Sequence, residues 1–133
     1  MLSANRVSRQ IVKLYAPLRK WAGTSAHSNF VVLKDSSELK GIVDSADSSV
    51  LYFTASWCPP CKTIAPIFQK MAGEFPNTKF IKIDIDDHSD EAANFKIRSV
   101  PTFLFYKGAS LKHQFSGAVE EQLRKYVTTI QNQ

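Results

Sequence analysis

The sequence predicts an α/β domain built on a mixed β-sheet, with elements in the order βαβαβαββα. Three observations carry that prediction. Short apolar or alternating runs recur between segments of helical periodicity, the pattern of strands paired in parallel through crossover helices. The last two strand-like runs are joined only by Lys107-Gly108-Ala109, so they must form an antiparallel hairpin. The length, 133 residues of ordinary globular composition, suits one domain with a real core. No apolar run approaches the ~18 residues of a membrane span, and neither a repeat nor a low-complexity tract is visible.

In chain order, Phe30-Val31-Val32-Leu33 reads as the first strand. Asp35 to Glu38 offers capping groups and early negative charge for a helix whose apolar stripe is Leu39, Ile42, Val43 and Ala46. Residues 45–49 read as a loop. Val50 to Ala55 has the length and density of a strand buried on both faces. Cys61, Ile64, Ala65, Phe68, Met71, Ala72 and Phe75 then mark one face of a helix ending near Gly73 to Pro76. Thr78 to Ile85 alternates as a strand, with Ile81, Ile83 and Ile85 on one side, and a short helix follows to about Lys96. Thr102 to Tyr106 is a strand, and Ser110 to Phe115 alternates as an edge strand. The last helix spans Val119 to Ile130, with Val119, Leu123, Tyr126, Val127 and Ile130 facing inward.

The only two cysteines, Cys58 and Cys61, stand where the buried strand hands over to the long helix. The first N–H groups of a helix lack internal partners, and the helix dipole places partial positive charge there. A thiolate is stabilised at such a point, so the pKa of Cys58 is expected to fall below the free value of about 8.5. Lys62 adds a nearby cation. Cys61 lies on the apolar face and is expected to be covered. An exposed, acidic Cys58 beside a covered Cys61 describes an attacking and a resolving thiol, able to break a disulfide on another protein and close their own. Pro59 and Pro60 fit the first helical positions, at the cost of two N–H donors near the Cys58 sulfur.

Trp57-Cys58-Pro59-Pro60-Cys61-Lys62 resembles the site of the thioredoxin family, which usually reads Trp-Cys-Gly-Pro-Cys-Lys. The likeness runs from about Phe30 to the C-terminus and is closest to organellar, plant o-type-like members. It implies the thioredoxin fold, with helices on both faces of the sheet. It also implies that Pro66 bends the active-site helix, that Val100-Pro101-Thr102 is a cis-proline loop against the cysteines, and that Gly117 lets a substrate chain approach. Trp57, Val100, Pro101 and Gly117 are then the substrate-binding surface. The implied activity is protein-disulfide reduction with no tightly held cofactor, the electrons coming from a thioredoxin reductase that uses NADPH, or a ferredoxin-linked one in plastids. Tyr52 departs from the family: most members place a buried aspartate there, held to move the proton of the resolving cysteine. A phenol with a pKa near 10 is no base at neutral pH, so Tyr52 is expected only to donate a hydrogen bond. Lys82 falls where some members pair a lysine with that aspartate.

Other readings of the pair stand beside this one. A disulfide closing so short a loop is a poor structural staple. Zinc needs four ligands, and His27, His88 and His113 have no ligand spacing to the cysteines, so they are read as ordinary surface residues. A dimer pooling cysteines around an iron–sulfur cluster is the binding-protein alternative, and a disulfide oxidase or isomerase-like relative is a third. Asp84, Asp86, Asp87, Asp90 and Glu91 are read as a solvated face with helix-start charge rather than a metal site.

The net charge of +5 is local. Residues 1–29 hold five of the 17 bases and no acid, which leaves 12 bases against 12 acids. The remainder is neutral, so the basic balance does not argue for nucleic acid. Residues 1–28 are basic, dotted with serine and able to form an amphipathic helix without a continuous apolar block. That is the make-up of a transit peptide, cleaved within Trp21–Ser28 and directing residues 29–133 to the mitochondrial matrix, with chloroplast or cytoplasm as alternatives. A monomer is expected.

Overall fold

The computed structural model describes residues 28–133. The transit-peptide expectation for residues 1–28, and His27 with it, therefore lies outside the described residues except for Ser28. The described elements are β1 (Phe30–Val32), α1 (Leu39–Ser45, after a 3-10 turn at Ser36–Glu38), β2 (Ser48–Thr54), α2 (Pro59–Glu74), β3 (Thr78–Asp84), α3 (Ser89–Asn94), β4 (Thr102–Lys107), β5 (Ser110–Ser116) and α4 (Glu120–Gln131). Their order is the expected βαβαβαββα. One five-stranded sheet runs β1-β3-β2-β4-β5. The β1–β3 and β2–β3 pairs are parallel, and the β2–β4 and β4–β5 pairs are antiparallel.

Strand alternation divides the core. Val50 and Tyr52 of β2, Phe80 of β3, and Phe103 and Phe105 of β4 pack on one face against Ile64, Phe68 and Met71 of α2 and Leu123, Val127 and Ile130 of α4. Leu51, Phe53, Ile81, Ile83 and Leu104 take the other face, against Leu39 and Val43 of α1 and Phe95 beyond α3. Every residue of β2 is buried, as a central strand covered on both faces requires. Among the described residues no helix is long and apolar enough to cross a membrane.

Three expectations need correction. β2 begins at Ser48, not Val50: Ser48 Oγ lies 2.8 Å from Thr78 Oγ1 across the parallel pair, so a buried hydroxyl finds a partner and the strand extends into the expected loop. Val119 does not face inward. It is the N-cap of α4 with extended backbone, so its side chain leaves the helix stripe and is 45% exposed. His88 is no surface residue: it is buried, with Nε2 2.8 Å from Leu33 O and Nδ1 2.9 Å from Ser36 Oγ. It ties the end of β1 to the start of α3. His113 is half-buried and packs against the Tyr126 ring at 4.7 Å.

Asn29 is the anchor of the chain's entry. Its buried amide Nδ2 donates to the carbonyls of Ala72 (2.7 Å), Phe75 (3.0 Å) and Thr78 (2.9 Å). These acceptors include orphan carbonyls at the C-terminal end of α2, which a helix must satisfy from outside. Its own carbonyl accepts the Phe80 N–H at 2.7 Å.

Candidate active site

β2 ends at Thr54, and a turn brings Cys58 to the N-cap of α2 with φ −101° and ψ 109°. Pro59 and Pro60 occupy the first helical positions, where a missing N–H costs no intrahelical bond. The first free N–H of the helix is that of Cys61, and it donates to Cys58 Sγ at 3.2 Å. The two sulfurs are joined as a disulfide, with Cα atoms 5.3 Å apart. Pro66 lies inside α2, and its ring removes the backbone donor that would bond the carbonyl of Lys62.

Both cysteines are covered. Cys61 was expected to be; Cys58 was expected to be exposed and is only 3% so. The cover comes from Val100, in the loop ahead of β4, and Ile85, just past β3; both pack on the pair, and Cys58 Sγ lies 3.6 Å from Val100 O. The Val100–Pro101 bond is cis. Pro101 O accepts the Gly117 N–H at 2.9 Å, and Gly117 has φ +116°, a conformation that L side chains rarely adopt. Val100 thus lies against the cysteines, and Pro101 joins it to Gly117 through one backbone bond. Trp57 flanks them, 63% exposed, and its Nε1 donates to Asp86 Oδ2 at 3.0 Å. The acidic run thus does more than solvate a face: Asp86 orients the indole. Among the described residues no group of three or more His, Cys, Asp or Glu could hold a metal ion.

Residues 29–129 match the thioredoxin family. The chain belongs to that family. It is 38% identical over 102 residues to thioredoxin of Ophiophagus hannah, covering 72% of this chain and 97% of the relative. It is 40% identical over 93 residues to thioredoxin H5 of Arabidopsis thaliana, covering 70% and 74%. Among solved structures, thioredoxin of Trypanosoma brucei brucei superposes with a TM-score of 0.75 at 30% identity, covering 80% of this chain and 95% of that one. Mitochondrial thioredoxin 3 of Saccharomyces cerevisiae does so with 0.71 at 28%, covering 77% and 97%. The fold is the thioredoxin fold. Thioredoxins are protein-disulfide oxidoreductases, and they need no tightly bound cofactor. Disulfide-bearing proteins and a reductase are their usual partners.

Tyr52, where the sequence reading expects a departure from the family pattern, lies on β2 behind Cys61. It is fully buried, stacks on Phe103 at 5.0 Å, and its hydroxyl donates to the Cys61 carbonyl at 3.0 Å. Burial raises its pKa above the ordinary phenol value, so it remains protonated at neutral pH. It holds the Cys61 backbone and, being protonated, is no base at neutral pH. Tyr52→Phe removes one hydrogen bond, worth about 1 kcal/mol, and leaves the ring stacking in place. Steady-state disulfide reduction by this variant should stay within about threefold of wild type. A hundredfold loss would show that the hydroxyl takes part in proton transfer.

Two features were not legible from local sequence. The Trp57–Asp86 bond joins residues 29 apart. The second is an open recess lined by Cys61, whose sequence signal is that Lys82 and Asp84 share the parity of Phe80 on β3.

Proposed function

We propose that this thioredoxin reduces disulfides on target proteins, with Cys58 as nucleophile and Cys61 as resolving thiol. The observation that carries the proposal is the placement of Cys58 Sγ at the N-cap of α2, accepting the Cys61 N–H. In the reduced protein that donor and the helix dipole favour the thiolate. The Cys58 thiolate attacks one sulfur of a target disulfide, and the other target sulfur leaves as a thiolate. Cys61, deprotonated, then attacks Cys58 Sγ. The Cys58–target bond breaks, the second target thiolate leaves, and the Cys58–Cys61 disulfide closes. Two electrons pass to the target, and a thioredoxin reductase restores the dithiol at the expense of NADPH.

The Pro-Pro turn leaves fewer N–H donors on the sulfur than Gly-Pro would, while Lys62 adds positive charge close by. Trp57, Val100, Pro101 and Gly117 form the docking rim, where the backbone of Val100 pairs with an extended target segment. Val100 also covers Cys58, so a docking target has to displace or share that contact. Nothing in the site favours the cluster-binding alternative.

The test is reduction of insulin disulfides in the presence of NADPH and a thioredoxin reductase. The proposal requires NADPH consumption that depends on the chain and precipitation of the free insulin B chain. Absence of both, with a reference thioredoxin active alongside, would overturn it.

Residues 1–28 serve, in the same reading, as a mitochondrial presequence, and residues 29–133 act in the matrix as a monomer. Five bases without an acid support this, as does the yeast mitochondrial thioredoxin among the structural relatives. A fluorescent protein fused behind residues 1–28 should accumulate in mitochondria; delivery to plastids or retention in the cytosol would reject it.

A further inference from the structure

We propose that Lys82, with Lys62, holds the resolving thiol of Cys61 as a thiolate across an open recess that the three residues line, in place of the internal base that Tyr52 does not supply. The inference rests on the Cys58/Cys61 reading above and specifies how its second step gets its nucleophile.

The recess measures about 230 Å³ and is lined by Cys61, Lys62 and Ala65 of α2, Thr54 of β2, and Lys82 and Asp84 of β3. At about 30 Å³ per water it has room for several solvent molecules. Parallel pairing places Lys82 beside Tyr52 and Asp84 beside Thr54. Lys82 is thus at the register where a lysine would accompany a buried aspartate, but its neighbour is a protonated phenol. The charged groups that face Cys61 are few. α2 supplies Lys62, and β3 supplies Lys82 and Asp84. β2 supplies no charge, only the neutral hydroxyls of Tyr52 and Thr54, and the loop ahead of β4 supplies the uncharged Val100. Two ammonium groups against one carboxylate leave the recess with a net positive charge. The Asp84 carboxylate is held by the Asp86 N–H on Oδ1 at 2.8 Å, which fixes its orientation.

A positive field favours the charged form of a thiol and lowers its pKa. The Cys61 proton passes to water in the recess and on to bulk solvent. The thiolate then attacks Cys58 Sγ, and the target sulfur departs with the bonding electron pair. No internal acceptor is required. Removing the Lys82 cation raises the pH at which Cys61 becomes reactive, and removing the Asp84 anion lowers it.

The reduced protein is mixed by stopped flow with a symmetrical aromatic disulfide that releases one coloured thiolate per attack, over a pH series. The first phase reports Cys58, and the second reports Cys61. In Lys82→Gln the midpoint of the second phase, measured relative to the first, should rise by about half a pH unit or more, so that at neutral pH the second phase slows about threefold against the first. Lys82→Arg should restore it, and Asp84→Asn should move it downward. An unmoved second-phase midpoint in Lys82→Gln, equal slowing of both phases, or failure of arginine to rescue would overturn the inference. So would an upward shift in Asp84→Asn, which would make Asp84 the proton acceptor. Absence of a fast first phase in the wild type would instead overturn the underlying Cys58 reading.

Discussion

Cys61→Ser is expected to halt turnover at the mixed disulfide and to hold target proteins on Cys58. This follows from the proposed division of roles between the two sulfurs. Both are covered, but Cys58 is the cap of α2 and receives the helix's first free N–H, whereas Cys61 supplies that N–H from within the first turn. A hydroxyl at position 61 keeps the backbone donor to Cys58 and the Tyr52 bond to the carbonyl, because both involve main-chain atoms. Attack therefore proceeds and resolution does not. NADPH-coupled insulin reduction should fall on the order of a thousandfold or more, the scale of losing an essential nucleophile. A covalent adduct should appear by mass spectrometry and disappear on addition of dithiothreitol. Cys58→Ser should lose activity to the same extent but give no adduct. An adduct forming equally in both variants would mean that the roles of attacker and resolver are not divided as proposed.

The largest stability effect is expected from Phe68→Ala. The ring sits in the middle of α2, fully buried, with Tyr52, Phe80, Phe103 and Phe30 at centroid distances of 4.9, 5.1, 6.0 and 6.1 Å. It is the one side chain of α2 that touches aromatic partners from β1, β2, β3 and β4 together. Truncation loses those contacts and leaves a cavity that four strands of a sheet cannot collapse to fill, at a cost of about 3–5 kcal/mol. Against a typical domain stability of about 5–15 kcal/mol, the thermal midpoint should drop by about 12 °C or more. The urea midpoint should fall with an unchanged slope. A loss below about 1 kcal/mol would mean that the sheet and helix repack around the gap.

What the sequence made legible were the features encoded locally. The Cys58–Cys61 spacing, the apolar period of the following helix and the parity of β3 are all read within a dozen residues, and the structure places each as expected. The features missed depend on residues distant in sequence. Asn29 finds Ala72, Phe75 and Thr78; His88 finds Leu33 and Ser36; Trp57 finds Asp86. No periodicity announces such pairs. The error at Val119 has a related origin: a valine in phase with Leu123 and Val127 looks like the first turn of a stripe, but a cap residue has left helical geometry. The cover over Cys58 is equally non-local, because Val100 arrives from 42 residues away.

One amide therefore decides where the domain can safely start. Asn29 clasps the rear end of the same helix whose front end carries the reactive sulfur. A processing enzyme that trimmed one residue too far would leave the disulfide untouched and still unfasten the lever on which it rides. The proposed presequence consequently has a hard downstream limit, set by three carbonyl oxygens rather than by any recognition motif.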